Sequence, residues 1–357
     1  MALSEPATHA PGAAADHGFH TLRVREVVRE TADARSFVLD VPDDLRQAFA
    51  YESGQFCTFR VRVDGQEHVR CYSMSSSPAV DPDLRVTVKR TAAGVVSNWM
   101  HDHVTPGSRL DVARPAGFFR LAPGDGDVVA AAAGSGITPV LSLLKTALAT
   151  TSRRVHLLYA NRDPESVIFR AELDGLREAY GDRFALSHHL DSEHGHVGSD
   201  TVRRLADAAA DPVFYLCGPE PFMRIVERSL STGGVDPARV HIERFTPGAW
   251  LSEPGPADAA AAVSSRVTVV LGSRTETTDH QPGTTILQTA RQLGMAPPFS
   301  CESGSCATCM ARLLDGSVSM HVNNALTPEE VADGWVLTCQ ALPTSPVVQV
   351  SYNHEEG

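Results

Sequence analysis

The chain has 357 residues, 42% of them hydrophobic and 21% charged, and a formal charge of −12. That length exceeds one ordinary core and calls for two or three domains, while no apolar run approaches the roughly 18 residues of a membrane-spanning helix. So acidic a chain argues against a nucleic-acid or membrane partner and leaves basic protein partners open.

The opening "MALSEPATHAPGAAADHGFH" is rich in Ala, Pro and His and has no basic stretch leading into an apolar one. Residues 1–19 therefore read as a disordered tail, not a secretion signal, which sets the expectation of a cytoplasmic protein with reduced cysteines. Residues 20–122 alternate apolar and polar with a period near two, in "TLRVREVV", "SFVLDV", "QFCTFRVRV" and "LRVTVKR", separated by turn residues. That pattern predicts an antiparallel β-barrel.

Near residue 127 the texture changes. "DVVAAAAGSG" is a buried strand ending in glycines, "PVLSLLKTALAT" a helix, and "RRVHLLYANR" the next strand. Helical "ESVIFRAELDGLREAY", the strand "PVFYLCGPE" and the helix "PFMRIVERSLST" follow. Strands alternating with helices over 123–246 predict an α/β unit with a doubly wound parallel sheet. Residues 247–264, "PGAWLSEPGPADAAAAVS", have no period and read as a linker. A third unit, 265–357, holds four of the seven cysteines.

Three of those four fall in "CESGSCATC". A disulfide framework does not suit a reduced compartment. Zinc ribbons pair two C-x2-C elements, and only Cys306 and Cys309 have that spacing. A redox dithiol needs neither Cys301 nor a distant fourth cysteine. The whole pattern is Cys301-x4-Cys306-x2-Cys309, with Cys339 after a gap, and it is the plant-type spacing of a 2Fe–2S cluster. The small residues Ser303, Gly304, Ser305, Ala307 and Thr308 allow thiolates to converge and backbone N–H groups to approach them. Cys57 and Cys71 read as strand packing. The run "HHLDSEHGH" (188–196) is the other candidate for a metal, but its histidines fall on a loop and present no tetrahedral set, so it reads as a polar loop.

At "RCYS" (Arg70, Tyr72, Ser73) and "GVVS" (Gly94, Val95, Val96, Ser97) the sequence resembles the ferredoxin–NADP reductase superfamily, whose R-x-Y-S and G-x-x-S elements stand at this separation. The resemblance implies an FAD site. There Arg70 forks onto a pyrophosphate oxygen, Tyr72 covers the flavin ring, Ser73 reaches its reactive edge, and Gly94 to Ser97 cap the second phosphate. It also places Val88 and Lys89 at the flavin and makes Phe245, in "HIERF", its second stacking face. "AAGSGITP" matches the family's G-x-G-x-T-P at Gly134, Gly136, Thr138 and Pro139, which would bring a helix N-terminus to the nicotinamide nucleotide's pyrophosphate. "YLCGPEPFM" resembles the C-G-P segment (Cys217, Gly218, Pro219), with Cys217 and Glu243 beside the transferred hydride. Asn161 and Arg162 end the second nucleotide strand. Arg162 suits a 2′-phosphate and Asp163 opposes one, so NADH and NADPH both stay open.

The domain order resembles the reductase components of multicomponent oxygenases, especially those of 3-ketosteroid 9α-hydroxylase and phenylacetyl-CoA epoxidase. It implies a flavin β-barrel, a nicotinamide α/β domain and a β-grasp α+β ferredoxin domain. The implied activity takes hydride from NAD(P)H to FAD and passes single electrons through a 2Fe–2S cluster to a terminal oxygenase, Rieske-type or di-iron. The other readings are a stand-alone reductase of small acceptors and a non-catalytic electron carrier.

Overall fold

The structure is a computed structural model that describes residues 19–245 and 265–353, apart from 296, 300, 303, 305 and 324. The expected linker, nearly all of the expected tail, and Ser303 and Ser305 lie outside the described residues.

The first unit is a six-stranded antiparallel sheet built from β1 (Phe19–Arg29), β2 (Ala34–Asp40), β3 (Phe56–Val63), β4 (Gln66–Ser73), β5 (Leu84–Lys89) and β6 (Arg109–Ala113), with helix α1 (Val95–His103) before β6. The order is β4-β3-β6-β1-β2-β5. Met74, just past one edge strand, bridges Val86 on the other, so the sheet curls toward closure. The β3–β4 hairpin turns at Asp64 and Gly65, both with positive φ, as a tight two-residue turn requires. The alternation read in the sequence sends Leu22, Phe37, Phe59, Val86 and Val112 inward to one apolar core.

The second unit runs β7 (Val128–Ala133), α2 (Ile137–Thr150), β8 (Val155–Asn161), α3 (Arg170–Tyr180), β9 (Phe184–Leu190), α4 (Asp191–His194), α5 (Ser199–Asp207), β10 (Val213–Cys217), α6 (Glu220–Thr232) and β11 (Val240–Glu243). Its strands are all parallel, in the order β11-β10-β7-β8-β9. β7 is apolar throughout because it is covered on both sides. Val128, Ala130 and Ala132 pack into one core, and Val129, Ala131 and Ala133 into the other.

The first two units are joined by polar contacts. Ser142 Oγ on α2 donates to the Ser76 carbonyl at 2.6 Å, and Ser77 Oγ meets Thr146 Oγ1 at 2.7 Å. Lys145, only 7% exposed, reaches Asp81 of the first unit at 2.6 Å and also binds Glu172 on α3.

The third unit comprises β12 (Arg266–Leu271), β13 (Arg274–Asp279), α7 (Ile286–Gln292), β14 (Met310–Asp315), β15 (Val318–Met320), α8 (Pro328–Ala332), β16 (Trp335–Leu337), β17 (Ala341–Pro343) and β18 (Val347–Ser351). Its main sheet is mixed, β13-β12-β18-β14-β16, with β12 and β18 parallel. Among the described residues no helix is long and apolar enough to cross a membrane.

Candidate active site

A cavity of about 960 Å³ opens where the three units meet. Its first wall is the end of β4. Strand alternation puts Arg70 and Tyr72 on one face and Cys71 on the other. The Tyr72 ring stands edge-on to Phe59 with centroids 5.7 Å apart, and burial raises its phenol pKa. Ser73 is buried at the strand end. Arg70 holds its guanidinium with Nη1 donating to the Val69 carbonyl at 2.7 Å. Lys89, at the end of β5, also lines the cavity, and its Nζ lies 3.7 Å from Asp33 Oδ2. Val88 does not line it. That side chain packs in the barrel core, while its carbonyl pairs with His101 Nε2 at 2.8 Å.

Helix α1 aims its first turn at the same space, with Gly94, Val95, Val96 and Ser97 on the lining. No side chain caps this helix. Its first N–H groups and partial positive charge are thus available to an anion.

The nucleotide-side wall is the turn between β7 and α2. Gly134 to Gly136 form a single 3-10 turn, and Thr138 Oγ1 donates to the Ser135 carbonyl at 3.0 Å. Ser135 and Thr138 line the cavity, whereas Gly134, Gly136 and Pro139 do not. Gly136 is required by its neighbour, since a Cβ there would lie 2.1 Å from the Cys217 carbonyl oxygen. Cys217 itself is fully buried, and the cavity is lined by the residues that follow it, Gly218 and Pro219. Cys217 pairs in register with Glu243 on β11. Burial, with that carboxyl adjacent, pushes the Cys217 thiol well above its ordinary pKa. Burial, reinforced by the neighbouring Cys301 thiol, pushes the Glu243 carboxyl up to about 8. Phe245, 45% exposed, completes this wall.

Asn161 closes β8 with its side-chain amide buried, the residue being only 5% exposed, and it does not line the cavity. Arg162 is largely exposed and sits 3.8 Å from Asp33 Oδ2. Asp163 spends its carboxylate locally, accepting from the Ser166 N–H at 2.9 Å as an N-cap.

Phe118, Arg244 and Phe299 are among the lining residues not singled out from sequence. Phe118 is a half-exposed aromatic at the cavity rim, and no motif marks it. Arg244 lines the wall and is pinned by Glu220 at 2.8 Å and Glu227 at 2.6 Å, contacts between segments well separated in the chain. Phe299 precedes the cysteine loop and reaches the cavity together with Cys301.

The cysteine loop fits a two-iron cluster. No disulfide involves any of the seven cysteines. The Cys301 N–H donates to Cys306 Sγ at 3.4 Å, and Thr308 Oγ1 is 3.2 Å from the same sulfur. Cys309 and Cys339 form a second, buried and hydrogen-bonded pair. Two sulfurs per iron is the demand of such a cluster. The loop turns through positive φ at Glu302, Gly304 and Ala307. At Gly304 a Cβ would stand 2.5 Å from the Val322 carbonyl oxygen, so only glycine lets the loop lie so close. Among the described residues no three His, Cys, Asp or Glu side chains gather on one point as a single ion requires. That includes His188, His189, His194 and His196, which border a separate cleft between β9 and α5.

Comparison with known proteins assigns each unit. Residues 21–121 match an oxidoreductase FAD-binding domain, 131–228 an oxidoreductase NAD-binding domain, and 269–344 a 2Fe–2S iron–sulfur cluster binding domain. The chain is 40% identical over 337 residues to the ferredoxin reductase component of 3-ketosteroid-9-alpha-monooxygenase from Rhodococcus rhodochrous, covering 93% of this chain and 96% of that protein. It is 34% identical over 352 residues to one of the subunits of 1,2-phenylacetyl-CoA epoxidase from Escherichia coli (strain K12), covering 94% and 98%. Among solved structures, phthalate dioxygenase reductase shares the fold, with TM-score 0.59 and 24% identity over 94% of this chain and 98% of that one.

Proposed function

As a member of the family of ferredoxin reductase components of multicomponent oxygenases, an iron–sulfur flavoprotein oxidoreductase, the chain is one half of a two-protein system, and we propose that its other half is a 3-ketosteroid 9α-hydroxylase-type terminal oxygenase. The observation that carries the electron-transfer reading is one cavity bordered by the nucleotide-side Pro219 and Glu243, the barrel's Arg70 and Tyr72, and Cys301 of the cysteine loop. When bound, FAD exchanges a two-electron hydride for single electrons, and a 2Fe–2S cluster carries them one at a time to a partner whose metal centre, Rieske-type or di-iron, accepts them singly.

The residues divide that work. Arg70 and the uncapped start of α1 would hold the phosphates of FAD. Tyr72 and Phe245 would pack against the flavin ring, and Ser73 would offer it a hydroxyl. Thr138, Gly218 and Pro219 would seat the nicotinamide nucleotide. Glu243 and the backbone after Cys217 would help to exclude water from the site. The nicotinamide donor and seven cysteines without a disulfide support a cytoplasmic setting.

Anaerobic stopped-flow mixing with NADH and with NADPH, followed by addition of candidate oxygenase components, tests this. The reading expects rapid flavin bleaching by a nicotinamide and turnover with a 3-ketosteroid oxygenase. Turnover with a thioester epoxidase in its place would move the assignment to the second relative. Flavin that neither nicotinamide bleaches would leave only an electron carrier.

A further inference from the structure

We propose that Asp33, on the turn between β1 and β2, is a specificity-determining residue for the nicotinamide donor, its carboxylate lying between Lys89 and Arg162 and selecting NADH over NADPH. The proposal rests on the reading of the second unit as a nicotinamide-nucleotide domain, and it names that domain's donor.

β7 and β8 are parallel neighbours, so the turn at Gly134 and the strand end at Asn161 lie on one edge of the sheet. The Tyr159 hydroxyl donates to the Gly134 carbonyl at 3.1 Å and ties the two together. A dinucleotide in such a fold lays its pyrophosphate on the first turn and its adenosine ribose near the end of the second strand. There an acid accepts from the ribose hydroxyls, or an arginine meets a 2′-phosphate. Arg162 stands at that strand end, and its ion pair is with Asp33 of the first unit, Nη2 to Oδ2 3.8 Å. The same Oδ2 lies 3.7 Å from Lys89 Nζ. Lys89 in turn stands over the glycine turn, where its Nζ would be 3.8 Å from a Cβ at Gly134. One carboxylate thus spans the cation beside the pyrophosphate turn and the cation at the ribose end.

The turn fixes Asp33 in that position. Thr31 Oγ1 donates to Asp33 Oδ1 at 2.8 Å and accepts from the Asp33 N–H at 3.3 Å, which leaves Oδ2 to the two cations. The Arg90 N–H donates to the Asp33 carbonyl at 2.7 Å and fastens the turn to the end of β5. The Asp33 and Arg162 side chains are 31% and 71% exposed, so a nucleotide can reach both. NADH brings neutral ribose hydroxyls, from which a carboxylate accepts. NADPH brings a 2′-phosphate with about −1.5 to −2 charges near neutral pH. That phosphate would meet an arginine already matched by a carboxylate, with the carboxylate's own charge close by to repel it.

The test measures binding as well as turnover, on full-length holoprotein at fixed ionic strength. Calorimetry gives the affinities of AMP and adenosine 2′,5′-bisphosphate, which differ only in the 2′-phosphate. Stopped flow gives flavin reduction by NADH and by NADPH. Wild type is expected to favour NADH by about tenfold or more in kcat/KM. Asp33→Asn keeps the side chain's shape and its bond from Thr31. It is expected to move the affinity ratio toward the bisphosphate by about tenfold, with the NADPH-to-NADH ratio following. Freeing Lys89 can tighten both nucleotides together, so only the ratio reports on the 2′-phosphate. Adding Arg162→Gln to Asp33→Asn is expected to cancel the gain. If Asp33→Asn does not fold, Asp33→Ala must give the same shift. The proposal is overturned if wild type uses NADPH as well as NADH, if the ratio stays within twofold, or if the gain survives the loss of Arg162. A holoprotein that binds neither nucleotide and whose flavin neither nicotinamide bleaches would instead overturn the reading of the second unit.

Discussion

Gly136 and the carbonyl of Cys217 are in contact across the mouth of the parallel sheet, with room for no Cβ: that atom would stand 2.1 Å from the oxygen and 2.7 Å from the Gly218 nitrogen. Both neighbours are backbone, so neither can rotate away. Gly136→Ala must push the end of β10 aside and carry Gly218 and Pro219 with it. The KM for the nicotinamide is expected to rise about tenfold to a hundredfold, the cost of a displacement of this size at a binding wall. The ratio of flavin to protein absorbance, read on the same sample, is expected to stay at the wild-type value, because the barrel is untouched. A KM within twofold of wild type would show that the wall yields without consequence.

Lys145 couples the first two units through a nearly dry ammonium. Its partners Asp81 and Glu172 are each about a quarter exposed, and Arg85 Nη2 also reaches Glu172 at 2.8 Å. Lys145→Ala leaves two carboxylates with one cation fewer at a covered junction. Breaking a buried pair costs about 3–5 kcal/mol, and the exposure of the carboxylates reduces this to about 2–3 kcal/mol. Denaturant unfolding followed by tryptophan fluorescence measures it.

His101 is held neutral. Burial lowers its pKa from the usual 6.5, and the nearby Arg90 and Arg35 add to the effect against the pull of the Val88 carbonyl. A lowered histidine contributes stability that is complete above the unfolded pKa and is lost as pH falls through the folded one. The stability advantage of wild type over His101→Gln should therefore be larger at about pH 7.5 than at about pH 5.5. An advantage that grows on acidification would mean the ring folds charged.

Residues 265–357 contain four Arg and no Lys against nine Asp and Glu, a formal −5. A partner that docks beside the cysteine loop meets this charge. The rate of oxygenase reduction is expected to fall as ionic strength rises from about 50 to 500 mM, while flavin reduction by the nicotinamide changes little. A flat dependence would make the acidity a matter of solubility alone.

Local chemistry was legible in the sequence wherever one short segment had to do the whole task. The cysteine pattern of the 2Fe–2S domain stands out because three of its four members share one loop at a spacing that fits few other sites. The R-x-Y-S and G-x-x-S elements and the glycine turn were visible for the same reason. Val88 and Cys217 show the limit of that reading. Each lies in a marked segment, yet strand alternation and packing send the side chain into the core and leave backbone or the next residue at the cavity.

The sequence by itself determined the three units, their order and the cofactors they take, because period, turn chemistry and ligand spacing are local properties of a chain. Tertiary structure alone decided what meets at the seam. Glu243 is pressed beside both Cys217 and Cys301, and Arg244 is gripped by Glu220 and Glu227. Such contacts depend on how segments distant in the chain come together in space.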